Sequence, residues 1–132
     1  MQQTLQSDDV VVCSDLYRNI ERGEIIAFYN NDKILIKRVV GLPGDTIIID
    51  NDGVLYINGE RQSETYVTSL SLEPCDITFP VEVPDDSYFV LGDRRTTSMD
   101  SRNDSVGMVS RDKLIGKVLF RIWPFNKLGT ID

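Results

Sequence analysis

Glu24-Ile25-Ile26-Ala27-Phe28-Tyr29-Asn30-Asn31-Asp32-Lys33-Ile34-Leu35-Ile36-Lys37-Arg38-Val39-Val40-Gly41-Leu42-Pro43-Gly44-Asp45 holds two short apolar runs, each closed by turn residues. Runs of this length, rich in Ile, Val and aromatics and bounded by Asn, Asp, Gly and Pro, read as strands rather than helices. Asn and Asp tolerate positive φ and bond their own backbone. Asn30-Asn31-Asp32 is therefore a hairpin turn joining strands at Glu24–Tyr29 and Lys33–Val40. Pro43-Gly44 specifies a type II turn, because proline presets φ at the first central position and glycine supplies the positive φ at the second.

The same pattern extends in both directions. Further strands are predicted at Val10–Cys13, Thr46–Asp50, Val54–Asn58, Ile77–Val81, Tyr88–Leu91 and Lys117–Ile122. Asp52-Gly53 and Asn58-Gly59 are two more tight turns, so residues 46–62 form a small meander. Helix is sparse. Asp15–Arg22 and Ser110–Leu114 are each expected to form a turn or two, the second with Ser110 as N-cap and Asp112 where the dipole favours an anion. The fold class is mainly β with one or two short helices. Residues 62–84 are polar and carry Pro74, Pro80 and Pro84, and are expected to be a loop excursion or a rudimentary cap. With no internal repeat and no flexible linker, residues 1–132 are expected to be one domain.

Composition narrows the function. The apolar fraction of 41% and charged fraction of 27% are those of an ordinary globular domain. A net charge of −7 repels a phosphate backbone, so no nucleic-acid partner is expected. No apolar run approaches the ~18 residues of a membrane-spanning helix. Cys13 and Cys75 lack metal-ligand spacing, and whether they pair is not legible; no metal or cofactor is expected. The chain contains no histidine, which excludes a Ser-His-Asp triad, a Cys-His pair and most catalytic zinc sites within it. Base-assisted hydrolysis would have to use a lysine or a carboxylate.

Lys37 is suited to that role. Lysine is a base only when neutral, and its ordinary pKa of ~10.4 must then be depressed by burial. Lys37 follows Ile34-Leu35-Ile36 and precedes Arg38-Val39-Val40, an apolar strand in which Arg38 points to the opposite face. Taken alone, the Lys37-Arg38 dipeptide reads rather as two ordinary charges on a half-exposed strand. Ser98, taken alone, reads as a turn former in a Thr-Thr-Ser loop.

Longer patterns add to this. The run Lys37–Asp45 and the block Gly92-Asp93-Arg94-Arg95-Thr96-Thr97-Ser98-Met99-Asp100-Ser101-Arg102 resemble two signature segments of bacterial signal peptidase I. Arg22-Gly23-Glu24-Ile25-Ile26-Ala27-Phe28 resembles that family's Arg-Gly-Asp strand segment, and Gly116-Lys117-Val118 its closing strand. The boxes stand in the family's order and span essentially the entire chain. The resemblance implies the coiled β-sheet fold shared by signal peptidases and LexA-like self-cleaving repressors. It also implies a membrane-anchored serine endopeptidase that removes signal peptides from exported preproteins with a Ser-Lys dyad, its catalytic domain on the extracytoplasmic face of the bacterial plasma membrane.

By the same resemblance Lys37 is the general base and Ser98 orients it, while Arg38 with Asp93 and Asp100 with Arg102 form the scaffold of the site. Met1, Leu5 and Ile36 border shallow substrate pockets, and Ile34-Leu35-Ile36 is the strand that an extended substrate joins. In the family the nucleophilic serine directly precedes a Met-x-Pro-Thr-Leu stretch. Here Met1-Gln2-Gln3-Thr4-Leu5 opens the sequence, which is therefore expected to begin one residue after the nucleophile, without its anchor, and to be inactive by itself. Gln3 in place of proline and Arg94 in place of asparagine are further departures. A non-catalytic homologue that binds extended peptides as an assembly or chaperone factor is the alternative. A self-cleaving repressor fits less well, since that family lacks the Gly92–Arg102 pattern.

Overall fold

The computed structural model describes residues 10–14, 20–64, 67, 69–123 and 129–130, with the side chains of 20–64, 67 and 69–118. The strands in order are β1 (Val10–Ser14), β2 (Ile25–Asn30), β3 (Lys33–Gly41), β4 (Thr46–Ile49), β5 (Leu55–Ile57) and β6 (Glu60–Arg61). They are followed by β7 (Val81–Glu82), β8 (Ser87–Leu91), β9 (Val109–Ser110), β10 (Leu114–Trp123) and β11 (Gly129–Thr130). The protein is mainly β, as the sequence implied.

The larger sheet has the order β1-β10-β2-β3-β8-β9, with β11 also on β10; the smaller one runs β6-β5-β4-β7. The β2–β3 hairpin turns at Asn31, whose φ is 57°, the left-handed geometry that asparagine tolerates. Its register sets Ile26 opposite Lys37 and Ile25 opposite Arg38. β8 lies along the other edge of β3 but pairs with it only from Arg38 to Gly41. The edge of β3 over residues 33–37 therefore has no partner strand among the described residues.

The two larger apolar clusters among the described residues hold this arrangement. Ile26, Phe28, Val39, Tyr88, Val90, Val109 and Leu114 pack on one face of the large sheet. Val40, Phe89 and Leu91 from the opposite face meet Ile47, Ile49, Leu55 and Ile57 of the small sheet. Each such side chain contributes on the order of 1.5–3 kcal/mol by leaving water. The period-2 alternation of β3 and β8 is what distributes these residues between the two faces.

Three expectations need correction. Ile77–Val81 is not a strand, and pairing is confined to Val81–Glu82; Pro80 has no N–H for a ladder, and Ile77 and Phe79 reach the core as loop side chains. Ser110–Leu114 forms its expected turn as a three-residue 3-10 helix at Arg111–Lys113, but without the expected side-chain cap from Ser110. Its Ser110 hydroxyl bonds the Asp112 carboxylate instead of a backbone N–H, and Leu114 is drawn into β10 opposite Phe28. The predicted helix Asp15–Arg22 lies partly outside the described residues, and Ile20–Arg22 are not helical. The described residues of segment 62–84 include β7 and are otherwise mostly irregular, a strap that brings Leu72, Ile77 and Phe79 onto the second cluster.

Candidate active site

Strand alternation in β3 puts Leu35, Lys37 and Val39 on one face and Arg38 and Val40 on the other. Opposite Ile26 and beside the first cluster, the Lys37 side chain is only 8% exposed. Its Nζ lies 3.0 Å from Ser98 Oγ. Burial pushes the Lys37 amine below the ordinary lysine value; Asp100 opposes this, Arg102 reinforces it and Asp93 opposes it. The half-exposed alternative for this strand is thereby excluded.

Ser98 is carried by the loop that leaves β8 at Gly92, and three arginines brace that loop. Arg38, from the far face of β3, donates from Nε and Nη2 to both Asp93 oxygens at 3.0 and 2.9 Å. Its Nη1 donates to the Gly23 carbonyl at 2.7 Å. Arg102 donates from Nε and Nη2 to the two Asp100 oxygens at 2.9 and 3.0 Å. It also donates to the carbonyls of Arg95 and Ser98 and, through Nη1, to those of Ser71 and Leu72 in the strap. All four charged side chains are 0–2% exposed, so they are not a solvated charge run. Two bidentate carboxylates make such burial tolerable, because a lone guanidinium there would be left uncompensated.

Asp100 accepts from the Gly92 N–H at 3.0 Å, closing the loop on itself. Gly92 had been read only as part of a motif, yet the space around it is decisive. A Cβ at this position would stand 2.0 Å from Ser98 Oγ and 3.5 Å from Lys37 Nζ. Only glycine lets the loop bring the hydroxyl to the amine. Arg95, 1% exposed, was also overlooked; it pairs with Glu64 of the strap. No local pattern could have revealed that pair, as the two residues are 31 positions apart.

The residues expected to meet substrate divide. Ile34 is 58% exposed at the open edge of β3. Leu35 packs against the first cluster, and Ile36 packs against Ile25, Ala27 and Val118. Met1, Leu5 and Gln3 lie outside the described residues. Arg94 is exposed, and its carbonyl accepts from the Ser98 N–H at 3.0 Å, so the loop engages this position through backbone. Cys75 is a free thiol. Among the described residues no helix is long and apolar enough to cross a membrane, and no group of three or more His, Cys, Asp or Glu could hold a metal.

Residues 1–123 match a family profile described as signal peptidase, peptidase S26. The chain belongs to this family. Among its signal peptidase relatives, a probable signal peptidase I-2 of Synechocystis is 37% identical across 99% of this chain and 62% of its own length. A signal peptidase I of Bacillus amyloliquefaciens is 39% identical across 83% of the chain, again 62% of the relative. One from Bacillus caldolyticus is 37% identical over 98% of the chain and 78% of the relative. The chain thus spans under two thirds of the first two. The crystal structure of a signal peptidase I from Enterococcus faecalis has 35% identity and a TM-score of 0.63, covering 77% of this chain and 98% of that one. The mainly β signal-peptidase fold expected from the motifs is the fold observed.

Proposed function

We propose that this domain is the catalytic part of a serine endopeptidase that removes N-terminal signal peptides from exported preproteins with a Ser-Lys dyad. Lys37 is the general base, Ser98 orients it, and the Arg38–Asp93 and Asp100–Arg102 pairs hold the loop against it. The observation that carries this reading is the Lys37 amine, buried and held on Ser98 at 3.0 Å. A desolvated amine beside a hydroxyl is what a base active near neutral pH needs. A homologue that only bound peptides could use the same open edge, but nothing in binding calls for a costly buried amine.

The nucleophile in this reading is the serine that the family carries directly before the stretch matching Met1–Leu5. An extended preprotein pairs with the free edge of β3 at Ile34–Ile36, where backbone bonds supply affinity. The serine oxygen attacks the scissile carbonyl while Lys37 Nζ takes its proton. That proton passes to the leaving amine, and neutral Lys37 then takes a proton from the water that releases the acyl group. An apolar anchor upstream keeps the domain on the extracytoplasmic face of the plasma membrane. The test is a chain extended at its N-terminus by the serine and anchor, assayed on a signal-peptide substrate in vesicles. Cleavage should rise with pH as the Lys37 ammonium deprotonates, and Lys37→Met should abolish it. Ser98→Ala should weaken turnover without abolishing it. Undiminished cleavage by the Lys37→Met protein would sink the dyad.

A further inference from the structure

Among the described residues, Arg95 of the Gly92–Arg102 block takes its carboxylate partner from outside that block. Its Nη1 and Nη2 donate to Glu64 Oε1 and Oε2 at 3.1 and 2.5 Å, and the Glu64 side chain is 3% exposed. Its Nε donates to the Gly92 carbonyl at 2.8 Å. A guanidinium is a planar fork of fixed geometry. With two donors committed to a carboxylate and a third to a carbonyl, its plane has one orientation left. Glu64 thus sets how Arg95 lies, and Arg95 sets where the Gly92 carbonyl stands. Gly92 adjoins the pair, since a Cβ on it would stand 2.0 Å from Ser98 Oγ and 3.5 Å from Lys37 Nζ. The Arg95 carbonyl in turn accepts from Arg102 Nη2 at 2.8 Å, which ties the same link to the Asp100 pair.

We propose that Glu64, in the irregular segment after β6, is a positioning residue for the Lys37–Ser98 pair, acting through Arg95 and the Gly92 carbonyl. The inference rests on Lys37 being the general base. It assigns the strap a part in the site that its lack of secondary structure conceals. The competing explanation is that Glu64 merely neutralises a buried arginine. The two differ in what they do to Lys37, which Glu64 does not touch. If Glu64 positions, its loss lets Gly92 and Ser98 shift and water reach the amine, whose other charged neighbours, Asp93, Asp100 and Arg102, are unchanged. If Glu64 only neutralises, its loss costs stability and leaves the folded site as it was.

The experiment is a carbon-13 NMR titration of the lysine side chains in the 132-residue chain. Five lysines are present, and the Lys37 signal is assigned by its disappearance in Lys37→Met. Two variants are compared with the parent protein: Glu64→Gln, and the double change Glu64→Met with Arg95→Met. The double variant covers the case in which the single one does not fold, since replacing a whole buried ion pair by apolar side chains is often neutral or stabilising. The Lys37 midpoint should lie below 10.5 in the parent and move up by about one pH unit in the folded variants as solvent reaches the amine. Folded variants with an unmoved midpoint would leave Glu64 a structural residue and overturn the inference. A parent midpoint at the ordinary lysine value would instead overturn the general-base reading itself.

Discussion

Replacing Gly92 by alanine tests the geometry of the site with a single methyl group. The added Cβ would lie 2.0 Å from Ser98 Oγ and 2.5 Å from Ser98 Cβ, where ordinary contact begins near 3.4 Å, so the hydroxyl must retreat by about 1.4 Å. Gly92 does not have a positive φ, so the effect is steric and not a backbone preference. Nor can Ser98 yield cheaply. Its N–H is held by the Arg94 carbonyl at 3.0 Å, and its carbonyl by Arg102 Nη2 at 3.3 Å. Overpacking of this kind costs about 1–3 kcal/mol. Pushed straight away from the new methyl, the hydroxyl would draw back from Lys37 Nζ, stretching and weakening their 3.0 Å bond. Misplacement on the ångström scale is worth about 10²-fold in rate. Urea unfolding would report the stability loss, and cleavage by the serine-bearing protein would report the rate. An alanine variant with unchanged unfolding midpoint and unchanged turnover would show that the loop does not approach Lys37 as described.

Asp93→Asn should destabilise the fold by about 3 kcal/mol, the low end of the range for breaking a buried ion pair, because Arg38 keeps its charge at 2% exposure; a urea midpoint equal to the parent's would argue that water already solvates the pair. Asp45 gives a pH prediction. Burial disfavours its charge, but Arg22, the Leu42 N–H and the Asn58 amide outweigh this and hold its carboxyl below the ordinary value of 3.8. The unfolded chain therefore takes up its proton first on acidification. The stabilisation is complete above 3.8 and is lost as pH falls through the lower folded value. Asp45→Asn should flatten the acid limb of thermal stability below about pH 4, and parallel melting curves for parent and variant across that range would contradict the assignment.

Much of the larger sheet was legible because its signals are local. The apolar runs of β2 and β3, the Asn31-Asp32 turn and the Pro43-Gly44 turn all act within a few residues, and the observed ends differ from expectation by one position. The two-residue strand β9 was not legible. It carries no pattern of its own and exists by pairing with β8. The strap was misread for a related reason: Ile77 and Phe79 are apolar because they cover the small sheet, not because they join a ladder. At the candidate site, the motifs pointed to Lys37, Ser98 and two Arg-Asp pairs, and the structure shows these side chains in contact. The motifs did not disclose that Gly92 is required by the closeness of Ser98, nor that Glu64 completes Arg95.

From its sequence alone this chain was a mainly β protein with a lysine as its candidate base. Alternation, turn chemistry and the absence of histidine depend only on residue type and spacing. The tertiary structure decided whether that lysine is held away from water. Depressing an amine requires removing water from it, and this takes the face of β2, the loop after β8 and the strap beneath Arg102, brought together from distant parts of the chain. Burial and the fit of a hydroxyl against a glycine are properties of assembled surfaces, and no window of sequence contains them.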